Sequence, residues 1–259
     1  MTTTHRSVAG AAALGVPRQY GLAAILGIWA AAALPMAILA WLIAPRLAAT
    51  LTGPTALPRA LILALLTGLI WQFVLVLLLV YREQRTLRWS VLKGALWLRA
   101  PQSPRTGRSG GWLWLVVIPL IAALAAEELL PTLPTPVSRD MSLFLGSGSG
   151  QAFLSGNWVW LAIIVLLQIF NTVLGEELLF RGLLLPRMNG RCGRWDWVVN
   201  GALFALYHLH EPWVIPQAFV DVFILAYPSR RYRSALIGII VHSAQSVVFI
   251  VLATAVVIS

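Results

Sequence analysis

The run Gly175-Glu-Glu-Leu-Leu-Phe-Arg-Gly182 decides how this chain is read. Its Glu176, Glu177 and Arg181 lie inside an apolar stretch that starts at Trp158 and continues to Met188. A charged side chain near the centre of a bilayer costs about 2.5–3.5 kcal/mol on insertion scales, so three of them close together require a reason. A loop at the membrane surface is one reason. An intramembrane active site is the other, and the rest of the sequence favours it. Glu177 and Arg181 stand four apart, one above the other on a helix, which suits an ion pair. Glu176 is turned about 100° from Glu177 and is left to face elsewhere.

The 259 residues are 59% hydrophobic and 11% charged, with a mean hydropathy of +0.82. Soluble domains carry about 25% charged residues, so the composition selects an all-α, polytopic integral membrane protein. The single cysteine, Cys192, excludes an internal disulfide framework and the multi-cysteine zinc patterns. The net charge of +10 comes from basic residues placed between apolar runs. That is the distribution of topology signals and anionic-lipid contacts, and it excludes nucleic acid as a partner.

Outward from the central run, the chain divides into four segments. Residues 1–19, with Arg6 and Arg18, read as a short cytoplasmic tail. Residues 20–130 hold three spans, Tyr20 to Ala44, Leu57 to Tyr81 and Gly111 to Ala126, with the basic cytoplasmic loop 82–110 between the second and third. Within that loop, Leu87 to Leu98 reads as an interfacial helix or as solvated chain. Glu127, Glu128 and Pro131 mark the outer end of the third span. Residues 131–156, with the Gly-Ser run 146–150, read as a flexible external loop. Residues 157–259 complete the chain. The run Trp158 to Met188 is too long for one upright helix, so it tilts or breaks, with Gly175 as the expected break. Spans at Trp195 to His210, Trp213 to Tyr227 and Ala235 to Ser259 follow, giving seven transmembrane helices, or eight if the long run divides.

With the amino terminus inside, every arginine cluster lands on the cytoplasmic side. Depths then follow from helical rise: Glu176 lies about 16 Å from the cytoplasmic end, His208 about 20 Å and His242 about 13 Å. Three polar side chains from three spans can therefore meet in one cavity. With Glu177 neutralised by Arg181, Glu176 is free to take a proton from water and pass it to a leaving amine. The two histidines suit orienting the water, stabilising an oxyanion, or holding a metal.

Glu176-Glu177-xxx-Arg181-Gly182, then Phe204-Ala-Leu-Tyr-His208, then His242 resemble the CPBP family of intramembrane proteases, which includes the CAAX prenyl endopeptidases. The family's motifs read EExxxR, FxxxH and HxxxN, in that order, on separate helices, and the resemblance covers residues 171–250. It makes residues 157–259 the catalytic core. It implies that Glu176 activates water with His208, that His242 and the residue four after it form the oxyanion site, and that Glu177 and Arg181 are a structural pair. That fourth position is Ser246, where the pattern has asparagine, with Gln245 beside it. Val222 and Ala226 stand where small glycines are usual, while Ser234 matches the serine before the final span. The resemblance leaves metal-free and zinc chemistry open, with any zinc near Glu176, His208 and His242. It implies a membrane-embedded or lipidated peptide as substrate. Membrane lipids are the expected surroundings, and the compact chain without an organelle-targeting signal points to a bacterial inner membrane.

Two other readings stay in play. The same helices can serve as a catalytically inactive membrane scaffold or immunity-type protein, for which Ser246 is the motive. A proton-coupled transporter would use Glu176, His208 and Asp221 as a relay, but the internal repeats usual in transporters are absent. Asp221 is an isolated intramembrane acid, expected to line the cavity or bond a neighbouring helix. His210-Glu211 lacks the second histidine of a zinc-protease motif, since position 214 is Val. The Gly-Ser run has no histidine at matching depth, which argues against a serine protease.

Overall fold

A computed structural model describes residues 15–127, 129–130 and 133–259. The expectations for residues 1–14 of the tail, for Glu128 and for Pro131 lie outside the described residues. The chain is 76% helical, and the described residues contain no strand. Four helical stretches are long and apolar enough to cross a membrane: Leu22–Ala48, Ala56–Gln84, Trp158–Tyr207 and Ala235–Ile258. Gly111–Glu127 is a shorter apolar helix. We label Leu22–Ala48 α1, Ala56–Gln84 α2, Trp89–Ala95 α3, Gly111–Glu127 α4, Met141–Gly146 α5 and Gly148–Leu154 α6. The stretch Trp158–Tyr207 folds back at Gly193, whose φ is +54°. Its two legs are α7 (residues 158–192) and α8 (Asp196–Tyr207). Residues 221–231 form α9, and Ala235–Ile258 forms α10.

The basic segments gather at one end of the molecule. Arg187, fully buried, donates from Nε to Glu83 at 2.8 Å and from Nη1 to the carbonyls of Ala95 and Leu183, each at 2.9 Å. Residues at the start of the described chain are tied there too: Gly15 N–H donates to Gln84 at 2.7 Å, and Tyr20 N–H to the Arg187 carbonyl at 2.9 Å. The middle of the basic loop docks as the short helix α3, which buries Val91 and Ala95 and leaves Trp89 exposed. At the opposite end Trp41 Nε1–H donates to the Leu209 carbonyl at 2.9 Å, and the Arg139 guanidinium lies 4.1 Å over the Trp41 ring. The first of these ends carries the excess of cations.

Three expectations are corrected. Residues 131–156 are not simply a flexible loop: they contain α5, capped by Asp140 accepting from Leu143 N–H at 2.8 Å, and α6, capped by Ser147 accepting from Gly150 N–H at 3.0 Å. The Gly-Ser run is therefore a helix start. Second, α7 does not break at Gly175. It absorbs its length in wide i→i+5 turns over Phe170–Gly175 and Leu178–Leu184. In lipid an open break would strand backbone groups without partners, whereas a wide turn keeps them bonded. Third, the expected span Trp213 to Tyr227 is not one helix: a turn at Pro212–Val214 and the short helix Ile215–Ala218 precede α9. Irregular backbone at this depth is tolerated because it borders a cavity.

The glycines missing from α9 are replaced from across the contact. A methyl group at Gly201 of α8 would overlap the backbone and side chain of Val222. Gly201→Ala is therefore expected to cost about 1–3 kcal/mol by overpacking, read as a lower unfolding midpoint in detergent. An unchanged midpoint would mean the two helices are free to separate.

Candidate active site

Glu177 and Arg181 are both fully buried, and Arg181 Nη1 stands 3.2 Å from Glu177 Oε1. The wide turns of α7 have not disturbed the i, i+4 pairing. The guanidinium lies 4.0 Å over the ring of Phe204, so its face is covered by the aromatic that begins the second motif. The same carboxylate oxygen takes the Nδ1 of His242 at 3.1 Å. A carboxylate only accepts, so Nδ1 carries the proton and Nε2 is the edge left for chemistry. Gly238, one turn before His242, gives this triple its room: a side chain there would collide with Glu177 Oε2 and crowd Arg181.

Glu176 points the other way, into a cavity of about 960 Å³ that it lines together with His208 and His242. The structure thus brings Glu176, His208 and His242, from α7, the end of α8 and α10, to one space. His208 is held by its Nδ1, 3.0 Å from the Phe204 carbonyl. A carbonyl also only accepts, so here too Nε2 carries the free lone pair. His210 stacks on His208 with ring centroids 5.6 Å apart, and it lines the cavity with Glu211 and Asp221. Asp221 is 7% exposed and its Oδ1 has no hydrogen-bond partner among the described residues. Of its two expected roles, the structure gives it the cavity-lining one. The space extends to the outer segment at Arg139 and Asp140, and its apolar wall includes Ile121 and Leu124 of α4 and Val248 and Leu252 of α10.

Ser246 does not join the other three. Its hydroxyl donates to Gln168 Oε1 at 2.7 Å and lies 3.2 Å from Thr172 Oγ1, tying α10 to α7. Its neighbour Gln245 lines the cavity instead. Two further residues escaped the sequence reading. Tyr207 is fully buried, accepts from Gln72 Nε2 at 2.6 Å and faces the Glu176 carboxyl. Tyr207 was in view beside His208. Gln72 had a signal as well, being an uncharged polar residue in the middle of the apolar α2.

The side chains as placed do not fit a zinc cage. Among the described residues no three histidine, cysteine, aspartate or glutamate side chains gather in a way that could hold a metal ion. Structural and catalytic zinc sites need three or four such ligands.

Compared with known proteins, residues 158–248 match the family described as type II CAAX prenyl endopeptidase Rce1-like. No curated protein and no solved structure matches the chain. The matched segment includes both motifs on α7 and α8 and the His242 region of α10; over that segment the chain is similar to the family, and its long apolar helices are those of an integral membrane protein.

Proposed function

We propose that this protein is an intramembrane endopeptidase in which Glu176 and His208 activate water to hydrolyse a peptide bond. The observation that carries the reading is that Glu176 faces the same cavity as His208 and His242 while Glu177 is taken up by Arg181. The Glu176 carboxylate removes a proton from a water held at His208 Nε2. The resulting hydroxide adds to the scissile carbonyl, and its negative charge is met by His242, donating from Nε2 in its protonated form. Glu176 then delivers its proton to the departing amine as the carbon–nitrogen bond breaks. Glu177 fixes the His242 ring through Nδ1, and Arg181 keeps Glu177 from competing for the proton.

The substrate is a membrane-embedded or lipidated peptide. The apolar wall between α4 and α10 suits such a chain, and the polar end of the cavity suits its peptide bond. The bilayer is a bacterial inner membrane in this reading.

Ser246 has a structural role in this reading, because its hydroxyl is spent between two helices. Ser246→Ala is expected to lower stability by about 1 kcal/mol through the lost hydrogen bond while cleavage stays near wild type. Loss of cleavage with full stability would return Ser246 to the oxyanion site. A catalytically inactive scaffold is the second reading, favoured by that same diverted hydroxyl.

The decisive experiment incubates purified protein in detergent with a library of tethered transmembrane and prenylated peptides, with and without a zinc chelator. Fragments are identified by mass spectrometry. Scission that requires Glu176 supports the protease, and the chelator arm reads whether a metal takes part. No scission by a folded protein on any peptide moves the assignment to the scaffold.

A further inference from the structure

A second cleft lies at the basic end, away from the Glu176 cavity. It encloses about 370 Å³ and is lined by Arg194, Arg230, Arg231 and Arg233, with Trp197 and Tyr227 forming part of its wall. Four arginines line one small space, and among the described residues the acid ion-paired with any of them is Asp196, whose Oδ2 accepts from Arg230 Nε at 2.5 Å. Arg194, Arg231 and Arg233 make no ion pair among the described residues, and all three are exposed.

The cleft is built rather than incidental. Its floor is the turn 230–235, to which the segment 97–109 is fastened. Gln102 N–H donates to the Tyr232 carbonyl at 2.9 Å, Ala235 N–H to the Trp97 carbonyl at 3.0 Å, and Ser234 Oγ to the Arg99 carbonyl at 2.6 Å. Arg99 in turn donates from Nε to the carbonyl of Arg233 at 3.0 Å. That brings a fifth cation to the turn, and burial together with the nearby Arg233 charge holds Arg99 below its ordinary pKa. Like charges are thus fixed side by side by backbone bonds, although repulsion favours letting them apart. The segment 103–108 is itself a tight turn, closed by Ser103 N–H to the Arg108 carbonyl at 2.9 Å and Gly107 N–H to the Ser103 carbonyl at 2.8 Å. Exposed Trp195, stacked under the Arg194 guanidinium at 5.1 Å, and exposed Tyr227 sit where aromatic residues meet a membrane–water interface.

We propose that this cleft binds the phosphate group of an anionic phospholipid headgroup at the cytoplasmic interface. Planar guanidinium forks match phosphate oxygens in pairs. Arg231 and Arg233 have the free forks, and the aromatic wall of Trp197 and Tyr227 takes the glycerol and the first acyl carbons. A bound phosphate relieves the repulsion that the fastened turn maintains. The site is independent of whether the protein cleaves peptides.

The test titrates purified full-length protein in neutral detergent with phosphatidylglycerol, with phosphatidylcholine, or with inorganic phosphate, following the unfolding midpoint. Wild type is compared with Arg231→Gln/Arg233→Gln and with Arg85→Gln/Arg88→Gln, which removes the same charge elsewhere at the basic end. Phosphatidylglycerol is expected to raise the midpoint where phosphatidylcholine does not. The 231/233 variant is expected to bind it on the order of 30-fold more weakly, two arginines at about the usual surface contribution each, while the 85/88 variant binds as wild type. A shift from inorganic phosphate without one from phosphatidylglycerol keeps the phosphate site but overturns the lipid as its source. Equal weakening in both variants, or no preference for any phosphate-bearing anion over phosphatidylcholine, overturns the site.

Discussion

Glu176→Gln is expected to reduce peptide cleavage by about 10²–10⁴-fold, the range that a positioned general acid–base contributes. The substitution keeps the size of the side chain and its place in the cavity, so the unfolding midpoint should hardly move. It removes the two events that the mechanism assigns to this carboxyl: taking the proton from water and returning one to the leaving amine. An amide can do neither. Glu176 is only 3% exposed, so bulk buffer cannot easily stand in for it. The measurement is initial rate on the best peptide of the library, with circular dichroism and thermal unfolding run alongside. A rate within a few-fold of wild type would remove Glu176 from the chemistry and the proposed function with it.

The second large effect is on stability. Glu177→Leu leaves the Arg181 guanidinium buried against the rings of Phe204 and Phe180, without the carboxylate it pairs with. Removing one partner of a buried ion pair costs about 3–5 kcal/mol, chiefly because the remaining charge is stranded. Arg181→Met should cost a similar amount by stranding the carboxylate, softened by the bond that Glu177 keeps to His242. The double variant Glu177→Leu/Arg181→Met removes both charges and should recover most of the loss. The readout is the unfolding midpoint of the four proteins in one detergent, treated as a double-mutant cycle. Simple additivity would mean the pair is not coupled, and the account of why Glu176 alone is free for proton transfer would fail. Cleavage need not recover in the double variant, since His242 would have lost the group that fixes its ring.

Much of this architecture was legible because a bilayer restricts the possibilities. Apolar runs and the arginines between them determine which ends lie together, and helical rise then placed Glu176, His208 and His242 at similar depth before any coordinates. The i, i+4 spacing of Glu177 and Arg181 likewise predicted a contact that depends on one helix alone. What escaped was whatever depends on contacts between distant segments. Nothing around Gln72 in α2 announces that it will meet Tyr207, because the two meet only after α8 has folded back. Ser246 was read by its place in a motif, yet its hydroxyl is claimed by Gln168, a residue two helical turns before the acidic pair. The continuity of α7 was missed for a different reason: apolar periodicity does not distinguish an i→i+4 turn from an i→i+5 one, and only the backbone shows which was used.

The segment that matches the family begins at residue 158, but the physical unit does not. Arg187 is satisfied by Glu83 and by the Ala95 carbonyl, Tyr207 by Gln72, and the Leu203 carbonyl by Trp29 Nε1–H at 2.8 Å. Cut away from the first hundred residues, the remainder would keep for Arg187 only the Leu183 carbonyl and would leave several polar groups orphaned. A chimera that grafts residues 158–259 onto the amino-terminal helices of a relative must therefore transplant these four anchors as well. The region of the sequence that resembles nothing in particular supplies the sockets for the region that does.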